Sequence, residues 1–73
     1  MNLKEVGLRI RKRREARSWR MINLADKSGL SVASLSRVEN GLCDFKVSTA
    51  VLLAEALDMS VDFLLKGDGQ EQV

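Results

Sequence analysis

The chain has no histidine and only one cysteine, Cys43, among its 73 residues. The lack of histidine excludes imidazole catalysis and histidine-ligated zinc sites, and a single thiol cannot supply a zinc knuckle. A single thiol also cannot form an internal disulfide, which is typical of a protein from a reducing compartment. We expect Cys43 to lie in a loop without a chemical role, the alternative being a redox or intermolecular thiol.

Aromatic residues and proline are also scarce. Trp19, Phe45 and Phe63 are the only aromatics and proline is absent, so stacking platforms for single-stranded nucleic acid are not expected and no internal linker is indicated. No apolar run approaches the ~20 residues of a membrane span, and the N-terminus carries charges instead of a signal-like apolar core. The chain has room for one small domain, which we expect to be cytoplasmic.

The carboxylates and glycines that could carry enzyme chemistry fit structural roles better. Asp58 and Asp62 have the spacing of a helical carboxylate pair, but Ser60 between them has the position of a helix cap, and Asp62 suits the first turn of that helix. Gly67 and Gly69 are followed by no helix and form no phosphate-binding loop. We therefore expect no enzymatic activity, no metal site and no cofactor.

The net charge is only +2, but the positive charges are concentrated in one basic stretch, residues 9–20. A basic stretch of this kind creates a local positive field that attracts phosphate. The alternative is a solvated helix face, and the charge run alone does not decide between the two interpretations. Glu15 is the sole acid in this stretch, which contains Arg9, Arg11, Lys12, Arg13, Arg14, Arg17 and Arg20.

Apolar spacing and capping signals predict five short helices and no strand. Asn2 followed by Glu5 is a capping-box pattern at the start of the first helix, and Ser18 breaks that helix. Asn40–Gly41 is a stop signal after the third helix, and Ser60 caps the fifth. The predicted helices cover residues 3–16, 21–27, 32–39, 47–57 and 61–66.

This pattern predicts a compact all-α domain over residues 1–67, followed by a frayed tail over residues 68–73. We expect Trp19 to fill the core between the first and second helices. The other predicted core positions are Leu3, Val6, Ile10 and Ala16, then Leu24 and Ala25, Leu35 and Val38, then Val47, Ala50, Val51, Ala54 and Leu57, and finally Val61, Phe63, Leu64 and Leu65.

The segment from residue 24 to residue 41 reads as two short helices joined by a tight turn. Gly29 can adopt positive φ in the turn, and Ser31 can cap the helix that follows. Leu35 and Val38 then point back at the preceding helix. The layout is that of a helix-turn-helix. The residues that face outward at helical spacing, as a reader of the major groove requires, are Val32, Ala33, Ser36 and Arg37.

In their order and spacing, these pieces resemble the Cro/cI-type helix-turn-helix domain, the Xre family of phage and bacterial repressors. The resemblance implies a lambda-repressor-like fold in which helices two and three form the helix-turn-helix. It further implies a sequence-specific regulator of transcription that binds double-stranded DNA, a repressor acting as a homodimer on a two-fold operator. It covers residues 6–67 and rests on Gly7 and Ile10, Leu24–Ala25, Gly29–Ser31, Leu35–Gly41, Leu53–Leu57 and Met59–Leu65.

The resemblance makes the third helix the recognition helix. Arg37 is then the first candidate for base readout, since a guanidinium can donate two hydrogen bonds to guanine. Val32 and Ala33 are expected either to touch thymine methyl groups or to fill the helix surface without contact. Ser36 is a short donor and acceptor at a base edge.

The resemblance also implies contacts that position the helix without reading sequence. It predicts a structural ion pair between Arg14 and Glu39, and a homodimer contact over residues 57–66. Expected phosphate contacts come from Arg20, Met21, Ser34, Asn40 and Lys46.

The start of the second helix departs from the family pattern. Where the family has a small hydroxyl cap followed by glutamine, this chain has Arg20 and Met21. Met21 and Ile22 would form an exposed apolar patch. The alternative function is therefore a protein-interaction module on the same fold, an antitoxin or a subunit of a larger regulator, which binds its partner through Met21, Ile22, Leu42 and Phe45.

Overall fold

The computed structural model describes residues 2–67 and contains five helices and no strand in that part of the chain. The predicted all-α, five-helix class is confirmed. The second helix ends one residue later than predicted, and the fourth ends one residue earlier, with Leu57 as its C-cap. The predicted tail, residues 68–73, lies outside the described residues. The helices are α1 Leu3–Ala16, α2 Met21–Ser28, α3 Val32–Glu39, α4 Val47–Ala56 and α5 Val61–Lys66.

Short polar side chains begin three of the helices. The Oδ1 atom of Asn2 accepts hydrogen bonds from the backbone N–H groups of Lys4 and Glu5, at 2.9 and 3.2 Å. Ser31 Oγ accepts from the third residue of α3 at 3.1 Å, and Ser60 Oγ accepts from the third residue of α5 at 3.0 Å. These bonds occupy N–H groups that have no partner inside the helix, so they stabilise the helix starts at the predicted places.

Two glycines set the position of α3. Gly29 joins α2 to α3 with φ of 80°, a left-handed conformation that costs other residues about 1–2 kcal/mol. Gly7 has a different function, because a Cβ atom there would lie 2.5 Å from the carbonyl oxygen of Val38. The absence of a side chain at Gly7 therefore lets the backbones of α1 and α3 pack in direct contact.

A single hydrophobic core joins all five helices. Its members lie on the inner faces of the helices, and the half-buried Val61 and Leu65 pack against it from α5. The predicted positions on α2 and α3 are confirmed as buried. The fully or almost fully buried apolar residues are Val6, Ile10, Leu24, Ala25, Leu35, Val38, Ala50, Leu53, Ala54, Leu57 and Leu64.

The predicted inner face of α4 is partly wrong. Val47 and Val51 are 79% and 37% exposed, whereas Leu53, which was not among the predicted core positions, is fully buried. The buried positions 50, 53, 54 and 57 form one stripe at helical spacing. At about 100° per residue, Val47 and Val51 lie about 70° and 110° around the helix from the centre of that stripe.

The prediction that Trp19 fills the core is also wrong. Trp19 is half-buried at the margin of the core, and its ring is flanked by the cationic groups of Arg17 and Lys27 at 5.3 and 5.0 Å. Ala16 is exposed as well. The buried place at this end of α1 is taken by Arg14, whose Nη1 atom donates a hydrogen bond to the carbonyl oxygen of Trp19 at 2.8 Å.

Candidate nucleic-acid interface

Helix α3 is held from its inner side by a buried ion pair. The Nε atom of Arg14 lies 2.8 Å from Oε2 of Glu39, and Nη2 lies 3.0 Å from Oε1, which is a bidentate arrangement. The two side chains are only 8% and 1% exposed. The hydrogen bond to Glu39, more than any other contact, raises the pKa of Arg14, so the guanidinium stays charged and fastens the end of α3 to α1.

The opposite face of α3 is open to solvent. Ala33 and Arg37 are exposed, Val32 is 44% exposed and Ser36 is half-buried. Within residues 2–67 the guanidinium of Arg37 makes no hydrogen bond or ion pair. Helical spacing places Ala33 and Arg37 one above the other, directly away from the buried Leu35. The structure therefore presents four predicted base-contact residues on one accessible surface.

Arg20 is the N-cap of α2, but its side chain has no acceptor atom for the N–H groups of the first turn. The backbone N–H of Arg20 donates instead to Oδ1 of Asn23 at 2.8 Å, so Asn23 supplies the cap from inside the helix. Arg20 itself is exposed to solvent. Sequence reasoning missed Asn23, although its position three residues after the N-cap is where a reciprocal capping residue stands.

The remaining predicted phosphate contacts differ in whether their side chains already make hydrogen bonds within the domain. Asn40 is exposed, but its Nδ2 atom donates to the carbonyl oxygen of Ser36 at 2.8 Å. Ser34 is exposed, and its Oγ accepts from Ser31 Oγ at 3.0 Å. Lys46 is exposed at the N-cap of α4, with no side-chain hydrogen bond to the helix.

A groove separates α3 from the start of α4 and contains several of these residues. Cys43 lies half-buried in the loop along this groove, and Phe45 packs against the core. Because Arg37 and Lys46 both line the groove, two cationic side chains face one cleft that is open to solvent. The groove is lined by Leu30, Ser34, Arg37, Cys43, Lys46 and Thr49, among others.

The apolar patch predicted at Met21 and Ile22 is only half present. Ile22 is 63% exposed, but Met21 is half-buried and packs against the core. Phe45 is likewise half-buried against the core, whereas Leu42 is 73% exposed. The four residues proposed for a protein partner therefore do not all present their side chains to solvent, because two of them contribute to the packing of α2 and the α3–α4 loop.

Much of the basic stretch in α1 binds other parts of the domain. Arg9 donates from Nε and Nη2 to the carbonyl oxygens of Leu64 and Leu65, at 3.0 and 2.9 Å. Arg17 donates from Nη2 to the carbonyl oxygen of Leu57 at 2.8 Å. These contacts place cations at the carboxyl ends of α5 and α4, where they satisfy free carbonyl groups and favour the helix dipoles.

Arg13 completes a row of arginines along one side of α1. Its guanidinium lies 5.4 Å from the centre of the Phe63 ring, within cation–π range. Arg9, Arg13 and Arg17 are spaced four residues apart, so they share a face next to the buried stripe of Val6. That spacing is the sequence signal that could have identified these side chains as contacts between α1 and the last two helices.

Comparison with known proteins agrees with this geometry. A family model described as helix-turn-helix matches residues 10–64. The chain belongs to the helix-turn-helix family of Xre type. This membership confirms the resemblance seen in the sequence, and the family and fold are those of DNA-binding regulators of transcription, not of enzymes.

The chain is similar to a curated protein of Bacillus subtilis (strain 168) named uncharacterized HTH-type transcriptional regulator YqaE. The two sequences are 31% identical over 64 residues, and the alignment covers 88% of this chain. The chain spans about 55% of the length of that relative.

The solved structures include the P22 c2 repressor protein in complex with synthetic operator 9T in the presence of Tl+. That structure is 35% identical with a TM-score of 0.82, covering 86% of this chain and 96% of the other. The solution structure of the P22 c2 DNA-binding domain (1–76) is 35% identical with a TM-score of 0.83, covering 93% of this chain and 90% of the other. The restriction-modification controller protein C.AhdI from Aeromonas hydrophila is 32% identical with a TM-score of 0.81, covering 85% of this chain and 94% of the other. The lambda-repressor-like fold class is confirmed by these neighbours.

Two further properties follow from residues 2–67. None of the helices there is both long and apolar enough to cross a membrane. The same residues contain no cluster of three or more cysteine, aspartate or glutamate side chains that could hold a metal ion.

Proposed function

We propose that this family member is a sequence-specific regulator that binds double-stranded DNA, acting in the cytoplasm as a repressor. The observation that supports it best is the exposed face of α3, where Arg37 carries a guanidinium that is free of partners within residues 2–67. The buried Arg14–Glu39 pair holds the opposite side of the same helix. A rigid helix with an accessible, uncommitted guanidinium is suited to the major groove.

In this proposal the outward residues of α3 touch bases. Arg37 donates two hydrogen bonds to O6 and N7 of a guanine, a contact worth about 1–3 kcal/mol of discrimination, or about 5- to 150-fold in affinity. Ser36 is half-buried at the base of this surface, so its contact would be short and weakly selective. Val32 and Ala33 meet the base edges near the start of the helix.

Phosphate contacts flank these base contacts on both sides of α3. Arg20 and Lys46 supply exposed cations at the starts of α2 and α4. Met21 would contribute through its backbone N–H, which lies in the first turn of α2 where N–H groups lack partners in the helix. Asn40 and Ser34 would join after exchanging their present hydrogen bonds for bonds to phosphate oxygens.

The regulator would bind DNA as a homodimer. The described domain measures 34 × 24 × 18 Å and holds one recognition helix, whereas reading two half-sites one turn of DNA apart needs two such helices about 34 Å apart. The proposed contact is residues 57–66, where the half-buried Val61 and Leu65 can lose further exposure. The similar P22 c2 repressor protein was solved in complex with a synthetic operator.

Selection of bound sites from random duplex DNA tests this proposal, together with sedimentation of the protein alone and with the selected duplex. We expect one enriched two-fold sequence and a complex of two chains per duplex. Arg37→Ala should reduce affinity for the selected site while sparing non-selected DNA. Arg20→Ala should weaken all duplexes alike and lower the salt dependence by about one unit of slope.

Arg11→Ala is a matched control, because Arg11 is exposed on α1 and, within residues 2–67, pairs only with Glu15 at 3.7 Å. It should leave the preference for the selected site unchanged. Failure to enrich any sequence would contradict the proposed function. An unchanged preference in Arg37→Ala would remove Arg37 from base readout.

A further inference from the structure

The outward face of α3 combines apolar side chains with one strong hydrogen-bond donor. Ala33 and Arg37 lie on the same row of the helix, opposite the buried Leu35 and Val38. Val32 flanks Ala33 in the first turn and is 44% exposed. Residues four apart on a helix are neighbours on its surface, so Arg37 lies one turn beyond Ala33 on this face.

Groups that recognise adenine or cytosine are missing from the first turn of α3. Adenine is read by a side-chain amide and the amino group of cytosine by a carboxylate, but this turn holds no acid and no asparagine or glutamine. The hydroxyl groups of Ser31 and Ser34 are bonded to each other at 3.0 Å. The amide of Asn40, at the far end, is bonded to Ser36.

We propose that α3 reads a methyl group at C5 of a pyrimidine that neighbours a guanine. Val32 and Ala33 pack against the methyl group, and Arg37 binds the O6 and N7 atoms of the guanine. The apolar pair and Arg37 contact adjacent base pairs because they lie on adjacent turns of one helix face. This inference rests on the proposed function, in which α3 enters the major groove.

The methyl group in question occurs on two bases. Thymine and 5-methylcytosine carry the same methyl group in the major groove, and they differ at the neighbouring O4 or N4 position. Apolar side chains cannot bond to that position, so α3 should accept both bases and disfavour uracil and unmodified cytosine. Methylation of a cytosine beside the guanine would therefore strengthen binding.

Four duplexes test the inference on the full chain. The site is first selected from random duplex DNA, and the guanine is identified as the position at which Arg37→Ala loses its preference. The neighbouring pyrimidine is then synthesised as thymine, uracil, 5-methylcytosine or cytosine, each with its complementary base. Dissociation constants are measured by fluorescence anisotropy at one fixed salt concentration.

We expect each methyl group to increase affinity about fourfold, the value for burying one methyl-sized group. Thymine should exceed uracil, and 5-methylcytosine should exceed cytosine, by similar factors. Equal affinities within both pairs would overturn the inference while leaving the proposed function intact. Enrichment of no sequence in the first step would overturn the proposed function, and this inference with it.

Variants of the apolar residues locate the effect on α3. Val32→Ser and Ala33→Ser should bring the thymine-to-uracil ratio toward one. Val51→Ser is the matched control, because Val51 is 37% exposed on α4 and does not line the groove beside α3, so it should preserve the ratio. Both altered residues of α3 are exposed, and circular dichroism verifies that each variant is folded. A ratio that survives both α3 variants would also refute the inference.

Discussion

Replacing Arg14 by methionine should destabilise the domain more than any change to a surface charge. The substitution keeps an unbranched side chain of similar length but removes three hydrogen bonds, two to Glu39 and one to the carbonyl oxygen of Trp19. The carboxylate of Glu39, whose side chain is 1% exposed, would then be buried without a counter-charge. Breaking a buried pair in this way costs about 3–5 kcal/mol of unfolding free energy.

The pH dependence of this contribution has a definite sign. The pKa of Arg14 is raised in the folded state, mainly by the hydrogen bond to Glu39. A raised pKa contributes stability that is fully present below the pKa of the unfolded chain and is lost as the pH rises through the folded value. Because arginine titrates only in strong alkali, Arg14 should contribute equally between about pH 6 and 10.

Urea unfolding followed by circular dichroism measures the effect, and a double-mutant cycle isolates the pair. Arg14→Met combined with Glu39→Leu removes both charges and should recover at least about 2 kcal/mol relative to the sum of the single variants. The double variant also remains informative if Arg14→Met does not fold. Arg11→Met is the control, because the Arg11–Glu15 pair is exposed and worth no more than about 0.5 kcal/mol. Additive single effects, or a loss below about 1 kcal/mol for Arg14→Met, would refute the reasoning.

Three further variants test other contacts by the same unfolding measurement. Gly29→Ala should lower the free energy of unfolding by about 1–2 kcal/mol, because position 29 has open space and only an unfavourable φ. Gly7→Ala should lower it several times more, because the added Cβ would strike the α3 backbone. Equal losses would contradict the close contact between α1 and α3. Arg9→Met should cost about 2–3 kcal/mol by freeing the last carbonyl groups of α5, and a neutral result would show that these bonds add nothing. Asn23→Ala should cost about 1 kcal/mol and Asn23→Asp should restore it; a loss in both would exclude capping.

The helices and the helix-turn-helix were predictable because their signals are local. Ser31, Gly29 and Ser60 act on backbone groups within a few residues of themselves, so the chain near each of them carries the whole signal. Apolar spacing likewise identified the buried faces of α2 and α3. It was less successful on α4, where apolar residues surround the helix, so spacing alone did not separate Leu53 from Val47.

The surface of the candidate site was only partly predictable for a related reason. Exposure of Ala33 and Arg37 follows from the position of Leu35 and Val38 on the same helix, which the sequence displays. The amide of Asn40 bonds within α3, and Met21 packs against the core. Both outcomes depend on where neighbouring side chains lie in space, and residue type does not report that.

By itself, the sequence determined five helices, the turn at Gly29, the family and the face of α3 that is presented to solvent. These properties depend on contacts between residues close in the chain or on one helix. Only the tertiary structure decided which arginines of α1 are available to a ligand. Arg9 and Arg17 reach carbonyl oxygens 40 or more residues away, and a local charge pattern cannot distinguish such a fastener from a free cation. Fewer arginine side chains are thus free to bind phosphate than the composition suggests, and Arg37 and Arg20 are among those left exposed.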